Sequence, residues 1–76
     1  MSKKRALVYS EQAIALVKTG EKDDAMLDLI EATDESVRAK KHAASRHFLT
    51  AMHEVLTGNR KDTIAAIERG QRALRR

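Results

Sequence analysis

Residues 19–24 read TGEKDD and residues 57–62 read TGNRKD. Each copy closes one apolar-periodic segment and opens another. Gly20 and Gly58 stand at the breaks, where the left-handed backbone that ends a helix favours glycine. Asp23 and Asp24 follow the first break and Asp62 the second, in the first turn of the next segment, where free helix amides favour negative charge. This near-repeat constrains the chain to helical hairpins in tandem.

The rest of the composition agrees. The 76 residues include no proline, only three glycines and 12 alanines, while β-branched residues are sparse. That mixture favours helix over strand. The predicted fold is all-α: four helices in two tandem hairpins, over residues 5–18, 22–33, 35–56 and 60–74, forming one small bundle across 1–76. Thr33 or Asp34 is the expected cap between the second and third helices. Nothing at 32–36 forces a break, so those helices can also fuse into one rod of about 50 Å, which needs a second copy to cover it. Leu, Ile, Val and Phe together number 16, and no cysteine is present. A domain this small, with neither disulfide nor thiolate metal site, often gains stability by oligomerising. Self-association as a homodimer is therefore expected.

The apolar positions define a stripe on each helix. In the first these are Ala6, Tyr9, Ala13, Leu16 and Val17, with Ile14 beside them. In the second they are Met26, Leu29, Ile30 and Thr33, flanked by Ala25 and Ala32. In the third they are Val37, Ala44, Phe48, Ala51, Met52 and Val55, and in the fourth Ile64, Ile67, Gln71 and Leu74. Leu7, Val8, Leu27, Leu49 and Leu56 are left over. Such a remainder can form a docking patch for a partner protein, and Tyr9, Leu27 and Leu49 are the candidate partner-binding residues.

Setting Gly20 against Gly58 gives an offset of 38, under which Val17 meets Val55, Lys22 meets Arg60, Asp24 meets Asp62, Met26 meets Ile64 and Leu29 meets Ile67. The segment LVKTGEKDDAMLDLIEA, Leu16 to Ala32, resembles the turn and second helix of a tetratricopeptide-type helical hairpin. Gly20 matches that family's turn glycine, and Ala25, Leu29 and Ala32 its small, large and small packing residues. The second copy carries Thr63, Ile67 and Gly70 there. The family's aromatic, Leu-Gly and Tyr first-helix signature and its closing proline are absent, the spacing differs from its 34 residues, and the resemblance covers about half the chain. It implies a protein-binding scaffold without enzymatic activity. Turn chemistry alone also accounts for two similar breaks.

Charge is distributed in blocks. Residues 1–20 carry a net +3, residues 21–36 a net −6 and residues 37–76 a net +7. A hairpin folded about Thr33–Asp34 would set Glu31 level with Arg38, Asp28 with Lys41 and Asp24 with Ser45–Arg46. The basic stretch 38–47 also suits a nucleic-acid backbone. In that alternative the contacts are Arg38, Lys40, Lys41, Arg46, Arg72, Arg75 and Arg76, with the basic MSKKR start adding to the field. Against it, no Asn or Gln stands there to read adenine edges, and the acidic block repels a duplex.

Catalytic patterns are missing. His42, His47 and His53 are spaced 5, 6 and 11 apart, none of them the one-turn spacing of a helical metal pair. Ser10, Ser36 and Ser45 have no strand–turn–helix setting. No glycine-rich phosphate loop occurs, so neither catalytic nor metal nor cofactor residues are assigned. No apolar run reaches membrane-span length, and the start lacks the apolar stretch of a secretory signal, so a cytoplasmic protein is expected. The leading expectation is a non-enzymatic protein-binding module or small regulator. The alternative is a basic nucleic-acid-binding protein.

Overall fold

The computed structural model describes residues 2–76, so Met1 of the basic start lies outside it. Four helices follow one another: α1 (Ser2–Lys18), α2 (Lys22–Arg38), α3 (His42–Thr57) and α4 (Arg60–Arg75). They run up, down, up and down as two hairpins, α1 with α2 and α3 with α4. Contacts of α2 with α3 and of α1 with α4 close the ring. The bundle measures 29 × 16 × 15 Å.

The two glycine turns form as expected. Gly20 and Gly58 take φ of 81° and 84°. After α1, the Glu21 amide donates to Leu16 O at 2.9 Å and the Gly20 amide to Val17 O at 3.1 Å, the paired bonds of a glycine-capped helix end. Asn59 caps α4, its Oδ1 accepting from the Asp62 amide at 2.9 Å.

The middle turn lies elsewhere than expected. No break occurs at Thr33–Asp34; α2 continues five residues past 33, to Arg38. Thr33 Oγ1 donates to Leu29 O at 2.7 Å, and Ser36 Oγ to Ala32 O at 2.7 Å. Their hydroxyls thus bond back along the helix instead of capping a new one. Asp34 pairs with Arg38 one turn on, at 3.1 Å. The helix ends where Lys40 takes φ of 60°. There the Lys41 amide donates to Ser36 O at 2.8 Å and the Lys40 amide to Val37 O at 2.9 Å. The glycine turn of residues 16–21 is rebuilt at 36–41 with lysine in the left-handed place. Val37 therefore belongs to α2, Lys41 to a turn, and the fused rod is ruled out. The expected pairing of Glu31, Asp28 and Asp24 with Arg38, Lys41 and Arg46 does not form. Arg38–Asp34, within one helix, is the ion pair found among the described residues.

Alanine dominates the centre. Of the 14 buried apolar residues among those described, eight are alanines; the others are Val17, Leu29, Phe48, Val55, Ile67 and Leu74. Small side chains let helices approach closely. Larger neighbours such as Leu7, Tyr9, Ile14, Met26, Met52 and Ile64 pack from the flanks, half-buried.

Burial extends the offset of 38 well beyond the turns. Ala6 and Ala44, Ser10 and Phe48, Ala13 and Ala51, and Val17 and Val55 are buried in both copies. So are Ala25 and Thr63, Leu29 and Ile67, and Ser36 and Leu74. Ala32 and Gly70 also correspond, and both are buried. The hairpins are thus equivalent in packing where the residues themselves differ. The size differences compensate: the Phe48 ring fills its layer against Gly70. The smaller Ser10 accepts a hydrogen bond from Gln71 Nε2 at 3.0 Å and donates to Leu7 O at 2.7 Å.

Candidate interaction surfaces

Each helix has a centre line turned to the core and two flanks turned to its neighbours. On α2 the flank beside α3 carries Met26, Ile30, Thr33 and Val37, spaced 4, 3 and 4 so that they share one face. On α3 the matching flank carries Ser45, Leu49, Met52 and Leu56 with the same spacing. Thr33 Oγ1 meets Met52 Sδ at 3.9 Å between them. The outer members of this face are open to solvent: Ile30 is 44% exposed, Val37 48%, Leu49 52% and Leu56 77%. The stripe assigned to the core from spacing alone therefore splits. Leu29 turns inward, while Ile30 and Val37 turn out.

The three candidate partner-binding residues do not share one place. Leu49 lies in the α2/α3 face. Leu27 is 60% exposed but stands on the outer side of α2. Tyr9 is half-buried on the opposite flank, packed against the core from α1. Ile30, Val37 and Leu56 complete the face with Leu49. Their common flank follows from the helix spacing once the end of α2 is set at Arg38.

The basic residues named for nucleic acid do come together. Arg38, Lys40, Lys41 and Arg46 surround the α2–α3 turn. Lys41 Nζ donates to Arg76 O at 2.8 Å, which brings the end of α4, with Arg72, Arg75 and Arg76, to the same end of the bundle. Lys3, Lys4 and Arg5 begin α1 there. The half formed by residues 2–10, 31–49 and 68–76 holds 11 cations and 4 anions, the other half 4 cations and 7 anions. No helix spans 38–47 as one surface; the turn at 39–41 divides it.

Titratable groups report the same field. His47 is held below the ordinary histidine value, first by burial and then by the charges of Arg69, Arg76 and Arg72. Asp28 is pushed above the ordinary carboxyl value, first by burial and then by Asp24 and Glu31. The carboxylates of Glu31, Asp34 and Glu35 lie within 4.8 Å of one another, with Glu31 and Asp34 exposed; Asp34 is engaged by Arg38. His42 opens α3 and His53 is exposed on it.

A cleft of about 120 Å³ lies between the two glycine turns, lined by the equivalent pairs Val17 and Val55, Gly20 and Gly58, and Lys22 and Arg60, with Thr63. No helix among the described residues is long and apolar enough to cross a membrane. Compared with family models, curated proteins and solved structures, the chain matches none.

Proposed function

We propose that the protein is a non-enzymatic protein-binding module, a small regulator that works by occupying a partner surface with its α2/α3 face. One observation carries this reading. The offset of 38 maps the α2/α3 face onto the α4/α1 face, so the chain contains its own control. Where the first has Ile30 and Val37 on its outer rim, the second has Glu68 and Arg75. Where the first has Leu49 and Leu56, the second has Glu11 and Lys18. Two grooves at equivalent repeat positions thus differ at all four rim positions, charged on one side and apolar on the other. Solvated bundle surfaces carry charge at such positions, and a contiguous apolar rim marks an interaction site. The tetratricopeptide-like hairpin, whose matching residues Ala25, Leu29 and Ala32 are all buried, fits a scaffold role.

The test places a photo-crosslinker at Leu49 and, in a second variant, at Val8, in nuclease-treated lysate. Crosslinked protein at 49 and none at 8 is the expected result. Equal or absent crosslinking at both sites would refute the surface.

A second reading follows from the basic end. Cations from both chain ends and the middle turn converge there, and such a cluster suits phosphate contacts. Binding to a duplex that falls steeply between about 50 and 200 mM salt, and weakens in Lys40→Ala and Arg72→Ala, would favour it over the protein-binding reading.

A further inference from the structure

We infer that the occupant of the α2/α3 face is a second copy of this chain, docked antiparallel about a two-fold axis perpendicular to the helices. The inference rests on reading that face as an interaction surface and names what covers it.

The face is self-complementary in shape of sequence. An axis passing midway between Ile30 and Thr33, and midway between Leu49 and Met52, maps each stripe onto itself. Met26 of one copy then meets Val37 of the other, and Ile30 meets Thr33. On the second helix Leu49 meets Met52, and Leu56 meets Ser45. With Thr33 set beside Met52 by their contact at 3.9 Å, the two midpoints lie within about one helical turn of each other along the bundle. An isologous contact needs this self-mapping.

Charge selects the direction. A copy docked parallel would set two ends of 11 cations and 4 anions side by side, within the roughly 8–10 Å over which salt leaves charges interacting. The antiparallel copy sets the basic half of each against the acidic half of the other. Under the same axis Asp23, at the start of α2, comes level with Lys40, at its end, and the pairing is made twice.

Size and core agree. A face of 29 × 16 Å outlines about 460 Å² a side, in the range of weak, reversible contacts. A core with eight alanines among 14 buried apolar residues leaves much of the apolar content of the chain outside it, available for a second layer.

The test is sedimentation equilibrium across micromolar to millimolar concentration, with label distances. The expected result is a reversible dimer that Leu49→Glu dissociates at every concentration while its helicity is unchanged, and that Val8→Lys on the far side of α1 leaves intact. The chain has no cysteine, so His42→Cys takes one spin label per copy. Antiparallel docking separates the labels by about the bundle length, 29 Å. A short distance, near the 16 Å width, would overturn the arrangement. A dimer indifferent to Leu49→Glu would overturn the face. A wild-type chain that stays monomeric throughout would overturn the second copy as occupant. Crosslinking of another protein at Leu49 would then show the surface reading surviving without it, and absent crosslinking would remove both.

Discussion

Replacing Gly70 by alanine should destabilise the bundle, although alanine is the better helix former. Gly70 sits inside α4 and is buried. A Cβ built there would stand 2.8 Å from Cδ1 and from Cζ of Phe48, and closer still to Cε1. Ordinary contact begins at 3.4 Å, so even those two atoms are about 0.6 Å too near. The obstacle is a fully buried ring rather than the tip of a flexible chain. Overpacking of this kind costs about 1–3 kcal/mol, and the helix gains about 1 kcal/mol when glycine becomes alanine. The difference is a net loss of up to about 2 kcal/mol. A double-mutant cycle separates the two terms. In a Phe48→Leu background the clash is relieved, so Gly70→Ala should become neutral or stabilising by up to about 1 kcal/mol. Urea denaturation followed by circular dichroism measures all four variants. A Gly70→Ala chain as stable as the parent, or the same effect in both backgrounds, would refute the reasoning. In the opposite hairpin Ala32 stands at the position equivalent to Gly70 and Ser10 at that of Phe48.

Three further outcomes are expected. Lys40→Gly should stabilise by about 0.5–1 kcal/mol, since lysine at φ of 60° bears the left-handed strain and glycine's extra unfolded entropy offsets only part of it; an unchanged thermal midpoint would count against it. His47 binds its proton less readily in the fold than in the unfolded chain, because burial and then Arg69, Arg76 and Arg72 oppose its charge. Stability should therefore decline as pH falls below 6.5 toward the lowered folded value, and His47→Gln should flatten that slope in acid titrations of the unfolding midpoint. Asp28 is raised by burial and then by Asp24 and Glu31. Its ionised form weakens the fold as pH rises through the raised value, so Asp28→Ala should stabilise at neutral pH, by about 0.5 kcal/mol from helix propensity alone. The gain should shrink toward that amount in acid, and a gain independent of pH would show the neighbouring carboxylates to be irrelevant.

The glycine breaks were readable because Gly20 and Gly58 declare their left-handed backbone in residue type. The middle turn was not, because Lys40 adopts the same backbone without a glycine to announce it, and its hydrogen bonds reuse positions 36 and 37, which read as ordinary helix. Moving that turn from Thr33–Asp34 to 39–41 had consequences for the surface. It returned Val37 to α2, in line with Met26, Ile30 and Thr33, and it divided the basic 38–47 stretch while gathering its charges at one end with Arg72, Arg75 and Arg76. The repeat was legible at the turns but faded along the helices. Selection of a side chain for a buried site constrains size against its neighbours more than identity, so Ser10 and Phe48 can be equivalent while sharing nothing in hydropathy.

The same rule explains why the apolar stripe of α2 was centred on Met26, Ile30 and Thr33, one residue from the buried line of Ala25, Leu29, Ala32 and Ser36. Spacing places Leu29 and Ile30 on one broad face, and large side chains look like core. In this bundle alanines share the buried centre lines with Leu29, Phe48, Ile67 and Leu74, and further bulky residues such as Met26 and Ile30 lie on the flanks. A flank residue is then free to be apolar or charged without cost to the core, as Ile30 and Glu68 demonstrate at one position of the repeat and Leu49 and Glu11 at another. Since folding tolerates either choice, the apolar rim on α2 and α3 calls for a cause outside the fold of one chain. On the proposed reading a covering partner supplies that cause, and the opposed charge of the two halves indicates how a second copy would lie.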